Sequence, residues 1–519
     1  MRIPVTRKDI TVMPDSKRVI ARFFYNGEER AKEILAHINQ LNEKEVYDLI
    51  APMLQEFSKR HRNITKILIK HADKLIDELP SQSQNINETS RFRKLLIGAY
   101  FTHEYSIESA AFFNPSIVDD PNQSDLVEGE RRLIISFRAV GEGHISSIVF
   151  RRAILKGNND IEIMPVGRYV DEAEIVKNNV YKKEFFLEKA EDSLISTDTL
   201  MLARKHLDDS FDYQTLKITI EKLLKDEHSD TNGTELEKLL WLADSYHEII
   251  FSLDTDISDR IIYPISKYER KGIEDARFVK FTNEEDGTVK YYATYTAYDG
   301  HTIMPKLLET TDFYHFKVRP IYGSGAKNKN LALFPRKING KYVMMSRIDG
   351  WNNYIMYSDK INIWTDPIRL QSPKYSWEYV QIGNCGSPIE TEHGWLVITH
   401  GVGAMRRYCL GASLLDLEDP CKEIGRLKEP LLIANTDERE GYVPNVVYSC
   451  GSIINNGELI IPYGLSDYSS SFMTVNLEEL LKRLMTNEAN TKEEIKGQYE
   501  AQVIDTKEIK PIGLKRPKW

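Results

Sequence analysis

The chain has 519 residues, more than one hydrophobic core normally organises, so a large domain with smaller appendages is expected. Its net charge of −9 and pI near 5.9 argue against a nucleic-acid binder, whose affinity comes from a dense positive surface; any bound anion must be held by a local group of cations. No apolar run of about eighteen residues occurs and Met1-Arg-Ile-Pro-Val-Thr-Arg lacks the apolar stretch of a secretory signal, so a soluble, cytoplasmic protein without membrane contact is expected. Cys385, Cys409, Cys421 and Cys450 have no paired metal-ligand spacing and read as reduced thiols, with no metal site.

Residues 28–79 carry helical periodicity. Val46, Leu49, Ile50, Met53, Leu54 and Phe57 fall on one stripe, which Ile64, Ile67, Leu68 and Leu75 continue. This predicts an N-terminal helical region over 1–95, with the polar stretch 81–88 as a loop. Its charged faces fit either solvent or the subunit contact of a homo-oligomer. From about residue 96 the pattern changes to short strands rich in Tyr, Ile, Val and Phe. A polar-Gly turn precedes a strand four times, at Asp286-Gly287, Asn339-Gly340, His393-Gly394 and Asn456-Gly457, the glycines 53, 54 and 63 residues apart; a fifth copy without that glycine starts near Gly129-Glu-Arg-Arg-Leu-Ile-Ile-Ser-Phe. Repeats of about fifty residues, each a small antiparallel sheet, predict an all-β, five-bladed β-propeller over 96–475. Leu216-Lys-Ile-Thr-Ile-Glu-Lys-Leu-Leu and Leu236-Glu-Lys-Leu-Leu-Trp-Leu-Ala have helical spacing and predict a helical insertion at about 190–255 between the first two copies. Residues 476–519 read as a C-terminal helix and a polar tail.

Two motifs carry chemistry. Gln381-Ile-Gly-Asn-Cys-Gly-Ser-Pro-Ile, followed by Gly394-Trp-Leu-Val-Ile-Thr-His400-Gly-Val, sets one His at a strand end beside a Gly-rich turn, which suits an anion. In Gly272-Ile-Glu-Asp275-Ala-Arg277-Phe, an extended strand would point Asp275 and Arg277 to one face and Glu274 to the other. From the residues alone this pair fits a general acid with a cationic neighbour, and it also fits a blade-stabilising ion pair. Trp351, Trp364, Trp377 and Trp395 read as blade core. Neither GxGxxG before a helix nor GxxxxGK[ST] is present, so nucleotide binding has no support.

These segments, with Phe113-Asn-Pro, Lys329-Asn-Leu-Ala-Leu-Phe-Pro335 and Glu440-Gly-Tyr-Val-Pro-Asn-Val-Val-Tyr448, resemble glycoside hydrolase family 130, the β-mannoside phosphorylases and β-1,2-mannosidases, over roughly residues 95 to 475. The first ninety residues and the stretch near 190–255 fall outside the family core. The resemblance implies inverting cleavage of a β-mannoside oligosaccharide by inorganic phosphate, giving α-mannose 1-phosphate, with no metal or organic cofactor. It assigns Asp275 as general acid, its proton passing through the mannosyl 3-hydroxyl. It assigns Arg138, Lys327, Asn328, Gln381 and His400 to phosphate, and Asn114, Arg277, Arg347, Tyr408, Tyr448 and Asp467 to the sugar. The chain departs from the phosphorylase pattern at Gln381, where Lys is expected, and at Ser346, where His is expected. Arg138, Arg347, His400, Arg406 and Arg407 remain as cationic groups. Two rivals stand beside this reading. An inverting hydrolase would use Asp467, Glu440 or Asp349 as base at roughly 6.5–9.5 Å from the acid. A non-catalytic propeller would only bind glycans or proteins.

Overall fold

Asn339-Gly340 and Asn456-Gly457 each put two successive residues in the left-handed region, with φ of 51° and 76° and of 43° and 73°. That geometry lets a two-residue turn match the right-handed twist of its strands. Such hairpins build the protein, whose computed structural model describes residues 2–177, 180–192, 195–226, 230–266, 269–298 and 303–486.

Five largely antiparallel sheets of four to six strands follow one another along the chain. The first contains Ala111–Asp119, Arg131–Val140 and Ser146–Leu155; the second runs Ile273–Thr282, Val289–Tyr298, Ile303–Thr310, His315–Pro320 and two outer strands. Ala332–Leu333, Tyr342–Ser346, Asn353–Ser358 and Ile368–Gln371 form the third, and Gln381–Asn384, Gly394–Val402, Tyr408–Leu415 and Glu423–Arg426 lead the fourth. The fifth joins Val447–Tyr448, Glu458–Leu465 and Ser469–Asn476 to Thr6–Val12 from the other end of the chain. The central strands are buried on both faces, and apolar clusters join neighbouring sheets. Phe150 with Phe278 and Phe316 fills the space between the first and second sheets, and Met344 and Met356 with Leu307 that between the second and third. Trp395 packs with Val343 between the third and fourth, Leu410 with Leu459 between the fourth and fifth, and Phe472 with Phe137 between the fifth and first. A sheet that buries both faces only against neighbours cannot stand alone, which is why the repeat occurs several times.

The expected helical region over 1–95 is corrected at its start, where Thr6–Val12 pairs with Ser469–Asn476 and Val19–Phe23 with Thr102–Ser106. Both are short segments whose backbone donors find partners at open strand edges, and helical periodicity begins only with Glu28–Gln40. Five α-helices, Glu28–Gln40, Glu43–Phe57, Ile64–Glu78, Ser83–Asn87 and Arg91–Tyr100, then enclose their own core of Val46, Ile50, Leu68, Leu75 and Leu95. Leu49, on the expected stripe, is exposed. The polar stretch at 81–88, expected as a loop, is helical over Ser83–Asn87 because Ile86 is buried beneath it. The expected insertion holds the helices Lys183–Asp192, Thr197–His206, Tyr213–Asp226 and Asp230–Asp244 over a separate core around Leu216 and Leu239. Its last part is not helical: His247–Ile250 pairs with His315–Pro320, and Glu174–Val176 pairs with it in turn, so this region supplies the outer edge of the second sheet. The expected C-terminal helix spans 477–486, and the polar tail lies outside the described residues. Trp364, Trp377 and Trp395 are buried as expected, but Trp351 is exposed, on the turn between Tyr342–Ser346 and Asn353–Ser358. All four cysteines are free thiols. No helix among the described residues is long and apolar enough to cross a membrane.

Candidate active site

Two irregular strands position the central acid. The register of Ile273–Thr282 against Val289–Tyr298 shifts between Glu274 and Arg277, and that of Ala111–Asp119 against Arg131–Val140 shifts between Phe113 and Ser116. Within these bulges Asp275 and Asn114 take left-handed φ values of 56° and 51°, which Asp and Asn tolerate better than most residues. The result is a hydrogen bond from Asn114 Nδ2 to Asp275 Oδ1 of 2.7 Å. The bulge also overturns the expected alternation. Arg277 turns away from the Asp275 carboxylate; its Nη1 donates to the Asp275 backbone oxygen (3.0 Å) and its Nη2 to Tyr448 Oη (2.7 Å), so it lies behind the site rather than on its wall. Glu274 comes to the same end as Asp275, where it accepts from Arg138 Nη2 (2.7 Å) and Lys329 Nζ (2.6 Å).

Asp275, Asn114, Arg138, Arg347, Gln381, His400, Tyr408, Tyr448 and Asp467 line one cavity of about 170 Å³. Lys329, Asn330 and Arg406 line it as well; Arg406 was counted among the remaining cationic groups, and Lys329 and Asn330 were assigned no ligand role from the sequence. Lys327 and Asn328, which were assigned one, do not line it: Lys327 is exposed, and Asn328 spends its side-chain oxygen on the Lys329 amide. Successive left-handed residues, Asn328 at φ 65° and Asn330 at φ 69°, turn the chain so that the next Lys-Asn pair faces inward. The repeated Lys-Asn at 327–328 and 329–330 was the available signal, and only the turn distinguishes the two. Asn330 is then locked across to the fourth sheet, its Nδ2 donating to the Asn384 backbone oxygen (3.0 Å) and to Tyr448 Oη (2.9 Å). Arg407 does not line the cavity, and neither do Glu440 and Asp349. Asp349 serves its own turn: burial would raise it, but the Asn352 and Trp351 amides, the Asn352 side chain and the Tyr354 hydroxyl hold it down to about 2.

His400 stands opposite Gly383 in the fourth sheet, where a Cβ on residue 383 would come within 2.4 Å of the imidazole, so glycine is required there. Burial, aided by Arg347 and Arg277, pushes its pKa well below the ordinary value, and the ring is neutral. Nδ1 faces the Asn384 carbonyl (3.3 Å), while Nε2 accepts from Arg347 Nη1 (3.2 Å) and Gln381 Nε2 (3.4 Å). The sequence reading counted His400 among the cationic groups; the charge instead comes from Arg138, Lys329, Arg347 and Arg406, four cations on a wall that carries two carboxylates, with Glu274 next to the wall and paired to Arg138 and Lys329. Those carboxylates are pushed apart. Burial is the largest influence on both and raises both, but Arg138, Arg277 and Lys329 with the Asn114 hydrogen bond bring Asp275 below its ordinary value. Asp467, at φ 51°, is lifted to about 6 by burial and by the Asp275 charge against the opposing pull of Arg138. The arrangement offers a local cationic patch for a small anion, one ionised acid and one carboxyl that titrates near neutrality. A larger cleft of about 670 Å³ beside His61, Lys70 and Glu172 receives none of the motif residues.

A family model described as beta-1,4-mannooligosaccharide phosphorylase matches residues 234–486, so Asn114 and Arg138 enter the cavity from outside the matched span. A 1,2-beta-oligomannan phosphorylase of Thermoanaerobacter sp. (strain X514) is 39% identical over 212 residues, covering 39% of this chain and 67% of the relative. A beta-1,2-mannobiose phosphorylase of the same organism is 37% identical over 228 residues, 41% of this chain and 69% of the relative. A beta-1,2-mannobiose phosphorylase of Listeria innocua is 28% identical over 285 residues, 53% and 76% of the two chains.

Proposed function

The chain belongs to glycoside hydrolase family 130, and from that premise we propose that it is a phosphorylase cleaving β-mannosidic bonds with inversion to give α-mannose 1-phosphate. The observation that carries this is the wall of Arg138, Lys329, Arg347 and Arg406 around Asp275, where a hydrolase would need a base and water. The names of the relatives support it and make β-1,2 the first linkage to test. The scaffold is a five-bladed propeller closed by Thr6–Val12 and by the shared core of the fifth and first sheets, a reading supported by the succession of inter-sheet cores. Four free thiols fit a reducing cytoplasm.

In this reading one mannosyl ring occupies the cavity with phosphate against Arg138, Lys329 and Arg347, held also by Asn330 and Gln381. A phosphate oxygen attacks C1, the bond to the leaving oxygen breaks with its electron pair, and that oxygen takes up a proton for which Asp275 is the source. Arg138, Arg277 and Lys329 favour the ionised form of Asp275. A phosphate dianion offsets the cations that hold it down, and burial, the larger influence, then favours the protonated acid. Nucleophile and proton donor are thereby coupled, and the cationic wall does the work without a metal or organic cofactor. Asn114 holds the Asp275 carboxylate, His400 holds Arg347, and Tyr408, Tyr448 and Asp467 contact the sugar.

Hydrolysis is the second reading, favoured by one observation: Asp467, alone among the three candidate bases, lines the cavity. Incubating the protein with β-1,2- and β-1,4-mannobiose, with and without inorganic phosphate, separates the two. Phosphate-dependent α-mannose 1-phosphate is expected; release of free mannose alone at high phosphate would transfer the chemistry to Asp467 and water.

A further inference from the structure

Two of the cations on the cavity wall are held by a group that does not line it. Glu274 gives one carboxylate oxygen to each: Oε1 accepts from Arg138 Nη2 (2.7 Å) and Oε2 from Lys329 Nζ (2.6 Å). Arg138 comes from the first sheet, Glu274 from the second and Lys329 from the turn before the third, so only the tertiary fold makes this bridge. Glu274 is buried and stands outside the cavity lining, so whatever it does for the reaction it does through its two partners. Arg138 has one further support, the Phe113 ring 5.2 Å away, and its Nε is left without a hydrogen-bond partner. Lys329 carries its charge on a flexible four-carbon stem, and among the described residues Glu274 is the one acceptor that fixes its ammonium.

The same two cations act on the acid. Burial raises Asp275, and Arg138, Arg277 and Lys329 pull it down. Two of those three are the partners of Glu274, and Arg138 Nη1 stands 3.9 Å from Asp275 Oδ1. The other groups that face Asp275 are Asn114 from the first sheet, Arg347 from the third, Cys385 after the first strand of the fourth, and Tyr448, Cys450 and Asp467 from the fifth. Burial also works against the charge on Arg138, and Glu274 is the strongest of the carboxylates that sustain it. A cation alone acts on its neighbours as a charge, whereas a cation paired with a carboxylate acts as a dipole, whose field falls off faster. A wall with enough cations to bind phosphate discourages the proton that the leaving oxygen needs. A carboxylate seated on two of those cations, behind the wall, offsets this without taking room from the ligand.

We propose that Glu274 is a positioning residue of the reaction: it fixes Arg138 and Lys329 at the cavity wall and takes up part of their charge, so that Asp275 serves as proton donor beside a wall that still binds phosphate. This rests on the phosphorylase reading for the identity of the anion. The test follows kcat against pH, at saturating β-1,2-mannobiose and phosphate, in the full-length protein, Glu274→Gln, Glu274→Asp, Lys329→Gln and the double variant Glu274→Gln/Lys329→Gln. Loss of the protonated acid gives the alkaline limb of that profile. Glu274→Gln keeps the shape and leaves both cations uncompensated. Its limb is expected to move down by about one pH unit, with turnover at neutral pH about tenfold lower and recovering as the pH is lowered. KM for phosphate, which the added net positive charge favours, is expected not to rise. Lys329→Gln removes a cation and should move the limb up, the double variant should bring it back toward its original place, and Glu274→Asp, which keeps the charge, should shift it less than Glu274→Gln. A purely structural Glu274 would lower kcat equally at every pH; that result, an unmoved or raised limb in Glu274→Gln, or a rise in its KM for phosphate overturns the proposal. Where Glu274→Gln does not fold, Lys329→Gln decides, and an unmoved limb there overturns it. If the unaltered protein releases mannose in place of mannose 1-phosphate, the phosphorylase reading fails by itself and the limb of the hydrolytic rate decides Glu274 in the same way. Absence of any cleavage overturns both.

Discussion

Two buried charge clusters in this protein are built in opposite ways. Beneath the first sheet, Glu108 is fully buried and accepts from Arg18 Nε (2.9 Å) and from Arg151 Nη2 (2.8 Å), while Arg151 Nη1 reaches the Phe150 carbonyl and Arg18 Nη2 the Ser258 carbonyl. Its charges end on partners. Around the cavity, Arg138 Nε, Arg277 Nε, Arg347 Nε and Asn114 Oδ1 are buried with no hydrogen-bond partner, and Arg347 points Nη1 at a neutral imidazole. Buried polar groups in a structural cluster are satisfied because each orphan costs about 1–3 kcal/mol. The unpartnered atoms around the cavity are three guanidinium donors and one amide oxygen, a set in which donors outnumber acceptors and which suits an anion.

The largest expected effect breaks the functional side. Asp275→Asn keeps the shape and the Asn114 contact but removes the proton, so kcat should fall by about 10²–10⁴-fold with the fold retained. Near-normal turnover of a mannoside with a poor leaving group would remove Asp275 from its role. The next effect breaks the structural side. Glu108→Gln leaves Arg18 and Arg151 facing a neutral amide, and breaking a buried pair costs about 3–5 kcal/mol. Urea denaturation should report that loss while KM for phosphate stays as it was; a loss below about 1 kcal/mol would mean the cluster is not the satisfied counterpart described above.

Gln381→Lys sharpens the comparison by adding a cation beside His400 and Arg347. In phosphate-free buffer it should lower stability by about 1 kcal/mol through like-charge repulsion and desolvation, and added phosphate should restore more stability to it than to the unaltered protein. Melting curves with and without phosphate check both arms, and identical phosphate stabilisation in the two proteins would show that no phosphate binds near residue 381. The smallest effect concerns Asp467. Its folded value of about 6 lies above the roughly 3.9 of an unfolded Asp. Its contribution to stability is therefore complete below the unfolded value and is lost as pH rises through about 6. On the order of 1 kcal/mol is expected after allowance for partial exposure. The ionised form, the better acceptor for sugar hydroxyls, grows over the same window, so KM for the sugar should fall as pH rises through 6. Asp467→Asn should flatten both profiles, and a persisting inflection near 6 would assign the titration to another group.

The sequence by itself determined what local interactions control. Polar-Gly turns at a spacing near fifty residues specify hairpins, because left-handed φ is cheap only at Asn and Gly, and the apolar strands between them specify sheets needing neighbours. The family motifs named Asp275, Arg138, Gln381 and His400, and one cavity gathers all four. Tertiary structure decided whatever depended on a break in that alternation or on a distant partner. The bulge at Asp275 sent Arg277 behind the wall and brought Glu274 to the site. Left-handed Asn328 and Asn330 moved the Lys-Asn contact two residues onward, to Lys329 and Asn330. Thr6–Val12 became the outer strand of the last sheet, a pairing across more than four hundred and fifty residues that local propensity cannot encode. Trp351 faces solvent although an indole reads as core, because Asp349 ties it into an exposed turn. The protonation states also waited for the fold: burial sets both the neutral His400 and the raised Asp467, and burial depends on the packing of sheets far apart in sequence.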